Sequence, residues 1–287
     1  MIDRRVCATT PRFAVLGESL SHTWSPFIHN SLFAAANIEA IYLPVTIPRA
    51  KLSSAVDVLR SCFAGFNVTI PYKERIIPML DSIDEAARAC GAVNTVENRD
   101  GRLIGHITDG LGMLRAIREA GIAVDRQDVL ILGGGGAARV AGYEFLRLGG
   151  RVTFAVRDTV KGAALAAELG DTQPDGTARI GVCSLDGVSG AHDVLVNCTP
   201  VGMYPHVQAC PVGEETIRRC AAVFDAVYNP RMTQLIQTAQ RNAIPIAEGL
   251  GMLFYQAAEA QRFWFDSGTV ASEAMQRQVY QELLEQM

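Results

Sequence analysis

Val129-Leu130-Ile131-Leu132-Gly133-Gly134-Gly135-Gly136-Ala137-Ala138 is the stretch on which the reading of this chain turns. Four apolar residues make a short buried strand, the glycines make a turn, and 137–148 carries apolar residues at helical spacing. Residues 152–156, Val-Thr-Phe-Ala-Val, supply a second parallel strand after Gly149-Gly150, which completes a βαβ unit. The glycines fit G-x-G-x-x-A. In that pattern Gly133 permits the tight turn, Gly135 lets the backbone approach a pyrophosphate, and Ala138 lets the helix pack closely. With Gly134 and Gly136 also in the turn, the helix start at Ala137 offers free N–H groups and a positive dipole end to phosphates. A merely flexible glycine turn is the alternative; the strand before it and the helix after it favour a dinucleotide.

At the end of the second strand stand Val156-Arg157-Asp158, where ribose specificity is set. Arg157 can pair with a 2'-phosphate and favours NADP, with Lys161 adding charge; Asp158 can accept from a free 2'-hydroxyl and favours NAD. A solvated charged cluster at a helix start is the third possibility.

The same alternation of short apolar runs and helical segments extends along the chain and predicts an α/β protein with parallel strands. Strands are expected at 13–16, 41–45, 66–70, 194–197, 223–227 and 245–247, with a helix at 52–62. Ser25-Pro26 is read as N-cap and first position of another helix. Amphipathic helices at 250–265 and 272–284 can return to cover the first unit, and 170–177 reads as a surface loop. The expected division is residues 1–110 with 250–287, a substrate domain, and 111–249, a Rossmann-like dinucleotide domain; 287 residues suffice for two such cores.

A formal net charge of -4 and the lack of a basic run argue against nucleic acid as the main partner. The seven cysteines form no C-x-x-C and the five histidines no H-x-x-x-H, so no metal is expected and the thiols read as reduced. No apolar run reaches about 18 residues, and a cytoplasmic protein is expected. Lysine is scarce: Lys51, Lys73 and Lys161 stand among many arginines. Lysine can release its proton where arginine cannot, so Lys73 is a candidate proton donor or acceptor. A surface charge, or a structural ion pair with Asp109, is the other reading.

Taken in order, His22-Thr23-Trp24-Ser25-Pro26, Asn67-Val68-Thr69-Ile70-Pro71-Tyr72-Lys73, Gly91-Ala92-Val93-Asn94-Thr95, Thr108-Asp109-Gly110, the glycine turn, Asn197-Cys198-Thr199-Pro200-Val201-Gly202-Met203, Asp225-Ala226-Val227-Tyr228-Asn229-Pro230 and Gly251-Met252-Leu253-Phe254-Tyr255-Gln256-Ala257 resemble the shikimate dehydrogenase family, including its quinate/shikimate branches. The resemblance implies reversible reduction of 3-dehydroshikimate with NADPH in a cleft between a substrate domain and a Rossmann-like domain. It implies Lys73 and Asp109 as the pair at the reacting oxygen, and Thr23, Ser25, Thr69, Asn94, Tyr228 and Gln256 as substrate contacts. It also places Thr199 and Gly249 on the cofactor side. From the residues alone, Asn94 can equally be a turn residue, Tyr228 a packed aromatic and Gln256 an exposed helix position. Three departures bear on specificity: Thr23 replaces a serine, Ile107 replaces an asparagine, and Val156-Arg157-Asp158 replaces Asn-Arg-Thr or Asn-Arg-Ser. An NAD-dependent quinate/shikimate paralogue and a non-catalytic metabolite and nucleotide sensor are the alternatives. The expected partner is a small hydroxylated cyclic carboxylate, and the protein a monomer or homodimer.

Overall fold

The computed structural model describes residues 6–170 and 179–287, so most of the loop expected at 170–177 lies outside the described residues. In chain order the elements are β1 Arg12–Gly17, α1 Ser25–Ala35, β2 Ile41–Thr46, α2 Leu52–Cys62, β3 Gly65–Val68, β4 Ser82–Ile83, α3 Glu85–Cys90, β5 Thr95–Arg99, β6 Arg102–His106 and α4 Asp109–Glu119. There follow β7 Asp128–Leu132, α5 Gly136–Arg147, β8 Arg151–Val156, α6 Thr159–Leu169, β9 Ile180–Ser184, β10 His192–Asn197, α7 Glu214–Arg218, β11 Cys220–Asp225, α8 Gln234–Arg241, β12 Ile246–Glu248, α9 Gly249–Trp264 and α10 Glu273–Gln286. They divide into two compact units, Met1–Thr108 with Gln256–Met287, and Asp109–Tyr255.

The first unit is built on a sheet of order β2-β1-β3-β5-β6-β4 among the described residues. It is mixed, which corrects the expectation of parallel strands throughout: β3 pairs β5 and β5 pairs β6 in antiparallel register. The cause is local. Asp100 and Gly101 both take positive φ, 52° and 88°, and close a two-residue hairpin between β5 and β6. Ser25 also differs from expectation, because Trp24 occupies the N-cap position and the serine already lies inside the first turn of α1, with Pro26 beside it. The core over β1 is aromatic: Phe13, Phe33 and Tyr42 are buried, with Trp264 and Phe265 packed against them. Each such ring removes enough apolar surface from water to stabilise the fold by about 1.5–3 kcal/mol. Trp264 explains why 65 is glycine, since a Cβ there would lie 2.6 Å from its Cδ1. Through Trp264, and through the packing of α10 on α1, the C-terminal segment belongs to the first unit.

His29 lies fully buried in this core, stacked 4.1 Å from the Tyr42 ring, and its Nδ1 accepts from Gln261 Nε2 at 3.2 Å. Burial pushes its imidazole down to about 3. Between that value and the ordinary 6.5, the unfolded chain takes up a proton that the folded chain refuses, so stability falls as pH drops through this window. The loss reaches at most about 1.4 kcal/mol per pH unit. Thermal melts from pH 7 to 4.5 should therefore show a shallower acid loss for His29→Gln than for the native chain; parallel profiles would remove His29 from the account.

In the second unit every strand pair is parallel, in the order β12-β11-β10-β7-β8-β9 among the described residues. Counted within the unit this is 6-5-4-1-2-3, a doubly wound sheet whose order reverses between β7 and β10. Its core is Leu130, Leu132, Ala155, Leu195, Val223, Leu235 and their neighbours, all buried. β9, Ile-Gly-Val-Cys-Ser, is an edge strand with no fully buried residue, and so lacks the apolar run by which its neighbours are legible. Among the described residues no helix is long and apolar enough to cross a membrane, and no group of three or more His, Cys, Asp or Glu is placed to hold a metal ion.

Candidate active site

In the first unit the chain leaves β3 at Val68 and turns, with Thr69 N donating to Leu16 O at 2.9 Å and Tyr72 N to Thr69 O at 2.9 Å. Thr69 and Lys73 are half-buried, and the Lys73 carbonyl accepts from Val93 N at 2.8 Å, which ties the lysine's turn to the segment that carries Asn94. Asn94 is only 2% exposed, so its amide must be satisfied internally. Its Oδ1 accepts from Thr108 N at 2.8 Å and from Thr95 Oγ1 at 3.1 Å. Its Nδ2 reaches Thr108 Oγ1 at 3.0 Å and Gln256 Oε1 at 3.4 Å. Beneath it, Asn67 Nδ2 donates to Asn94 O and to Thr95 Oγ1, both at 3.0 Å, and Asn67 Oδ1 accepts from Tyr42 OH at 2.6 Å. Asn94 and Gln256 thus meet in one polar network. Thr23 and Ser25 form a separate hydroxyl pair, with Thr23 Oγ1 donating to Ser25 Oγ at 3.2 Å. Ile107, where the resemblance leads one to expect asparagine, is buried at 4% exposure.

Asp109 is the first residue of α4, in the second unit, where the helix dipole favours its negative charge. Gly133 follows β7 with φ 109°, and a Cβ there would lie 3.1 Å from Thr199 Cγ2, so only glycine lets the turn close against the loop after β10. Gly134 faces Val156 Cγ1, while Cβ atoms built at Gly135 and Gly136 meet nothing within 4 Å. Residues 134–137 are exposed around the N-terminus of α5. This open, amide-rimmed cradle at the point where strand order reverses fits a pyrophosphate. Arg157 is exposed. Asp158 is the N-cap of α6, accepting from Val160 N and Lys161 N, each at 3.1 Å, and its carboxyl is held below the ordinary range, first by the Lys161 amide bond. Asp158 is thereby occupied in capping α6. Gly249 opens α9 where a Cβ would lie 2.6 Å from Ala226 C and 2.8 Å from Asp225 O, which is reason enough for glycine there. Tyr228 follows β11, and burial raises its phenol above the ordinary value, keeping it a neutral donor.

Four polar residues with no role assigned from sequence stand out. Asn67 and Thr108 fix Asn94, as described. Asn197 and Asp225, both 0% exposed, end β10 and β11: Asn197 Nδ2 donates to Asp225 Oδ1 at 2.8 Å, and Asn197 Oδ1 accepts from Thr199 N at 3.0 Å and Thr199 Oγ1 at 2.7 Å. The available signal was a polar residue at the end of an apolar strand, where parallel α/β sheets bind ligands.

A family model for the shikimate dehydrogenase substrate binding domain matches residues 15–96. The chain is 40% identical to the shikimate dehydrogenase (NADP(+)) of Rubrobacter xylanophilus over 91% of this chain and 92% of that one. It belongs to the shikimate dehydrogenase family. Among solved structures of similar fold, the shikimate 5-dehydrogenase of Thermus thermophilus in complex with NADP(H) and shikimate gives a TM-score of 0.85 at 31% identity, covering 95% of this chain and 99% of that one. The ligand-free 5-ketofructose reductase of a Gluconobacter strain gives 0.83 at 28%, covering 96% and 100%. The shared fold therefore does not choose the substrate; the residues lining the site do.

Proposed function

We propose that this protein is an NADP-dependent shikimate dehydrogenase, interconverting shikimate and 3-dehydroshikimate. The observation that carries the reading is the identity of 40%, over nearly the whole chain, to an enzyme named for that reaction and cofactor. The first unit is the substrate domain and the second the dinucleotide domain. The Gly133 turn, Gly135, Gly136 and the first amides of α5 hold the pyrophosphate, with Thr199 beside the turn and Arg157 on the 2'-phosphate. NADP, when bound, supplies the hydride acceptor for oxidation and the donor for reduction. Lys73 Nζ gives a proton to the reacting oxygen in reduction and takes it from the hydroxyl in oxidation, and its ammonium stabilises negative charge on that oxygen. Asp109 orients the ammonium and accepts from a neighbouring hydroxyl. Thr23 and Ser25 bind the carboxylate; Thr69, Asn94, Tyr228 and Gln256 bind the ring hydroxyls and carboxylate.

Initial rates with shikimate or quinate, each with NADP+ or NAD+, test the reading. Shikimate with NADP+ should lead, and a preference for quinate with NAD+ would overturn it in favour of the paralogue. Replacing Arg157 by Ala removes one charge-assisted contact, worth about 1.5–3 kcal/mol, so the NADP+ over NAD+ preference should fall about 10- to 100-fold. An unchanged ratio of kcat/KM for the two cofactors would take Arg157 out of ribose recognition.

A further inference from the structure

Asp225 is a fully buried carboxylate that the mechanism above does not use. Its hydrogen-bond partners are neutral donors: Oδ1 accepts from Asn197 Nδ2 at 2.8 Å and Val227 N at 3.0 Å, and Oδ2 from Thr233 Oγ1 at 2.6 Å. Burial raises its carboxyl above the ordinary value, and these three donors pull it back. An uncharged pair of similar shape would tie β10 to β11 with less desolvation cost, so strand pairing alone does not account for an acid here. Acceptance does. Both oxygens receive donors, and an amide offers one acceptor oxygen only, so an Asn here would keep the Asn197 and Val227 bonds only by turning its NH2 onto the Thr233 hydroxyl, which already accepts from Ile236 N.

What the carboxylate holds lies at the ligand-binding end of the sheet. Asn197 and Asp225 are directly paired in the β10–β11 register. From Asn197 the network continues to both the N–H and the hydroxyl of Thr199, the residue that meets the Gly133 turn. From Asp225 itself it continues to Val227 N, which shapes the loop carrying Tyr228. We propose that Asp225, acting through Asn197 and the Val227 amide, is a positioning residue that sets the register of the Thr199 and Tyr228 loops for ligand binding. The inference rests on the reading of Thr199 as a cofactor contact and Tyr228 as a substrate contact, and it deepens that reading.

The test compares Asp225→Ala and Asn197→Ala with Thr233→Val, which removes the third bond to the carboxylate while Asn197 and the Val227 amide keep their acceptor. NADP+ affinity is measured by fluorescence titration, KM for shikimate by initial rates, and folding by thermal melting. Loss of the acceptor for Asn197 and Val227 N in Asp225→Ala should weaken NADP+ binding and raise KM for shikimate about 10-fold or more, and Asn197→Ala should weaken NADP+ binding alike. Thr233→Val should lower Tm while both constants stay within about twofold of the native protein. Native-like constants in a folded Asp225→Ala or Asn197→Ala would overturn the inference. So would equal changes in Thr233→Val, or failure of both loop-linked variants to fold, since either assigns the network to stability alone. A native protein that binds NADP+ but oxidises no shikimate would sink the functional reading, and the NADP+ titrations of the variants would still decide this one.

Discussion

Lys73→Ala should lower kcat by about 10²- to 10⁴-fold, the usual contribution of a positioned proton donor, while NADP+ affinity stays near that of the native protein. The two halves of this result separate for a structural reason. Lys73 sits on the turn after β3 in the first unit, whereas the glycine cradle and Arg157 belong to the second. Lys73→Arg should fail as badly, because a guanidinium keeps its proton at any working pH and can neither give it to the reacting oxygen nor take one from the hydroxyl. Initial rates with an NADP+ titration check both variants. Near-native turnover in Lys73→Ala would leave the residue as a surface or ion-paired charge only.

Asn94→Ala should combine a loss of kcat/KM of about 10²-fold or more with a lower Tm. The amide touches Thr95, Thr108 and Gln256, and the alanine leaves the Thr108 N–H without its 2.8 Å acceptor in a site where Thr108 is 0% exposed. An unpaired buried donor costs about 1–3 kcal/mol, and at about 2–4 °C per kcal/mol for a protein of this size class Tm falls by several degrees. Activity should fall further than stability explains, because Thr108 leads directly into Asp109 at the start of α4 and Gln256 loses a partner. Steady-state kinetics at a temperature well below the melting transition separates the two effects. A variant that melts early but keeps native kcat/KM would make Asn94 a structural residue.

The nucleotide half of the fold was legible because its signals are local. A strand of four apolar residues running into glycine and then helix has one ready interpretation, and α2 begins and ends where its periodicity places it, at Leu52 and Cys62. The hairpin of β5 and β6 is absent from the expected strands although Asp100-Gly101 is a strong short-range hairpin signal, because Thr-Val-Glu-Asn-Arg and Arg-Leu-Ile-Gly-His lack the apolar runs by which the other strands are legible. The candidate site divides in the same way. Motif order points to Lys73, Asp109 and Asn94, but the supporting roles of Asn67 and Asp225 depend on strand register. Asn67 stands opposite Thr95 across β3 and β5, and Asp225 opposite Asn197 across β11 and β10. Register of this kind links residues 28 positions apart in both cases, and no local pattern carries it.

The most direct measurement of the central claim follows the reduced-nicotinamide absorbance when shikimate is added to the native protein with NADP+. NADPH should form one for one with 3-dehydroshikimate. Saturable binding of both ligands with no absorbance change would contradict it and point to a protein that senses the two molecules without turning them over.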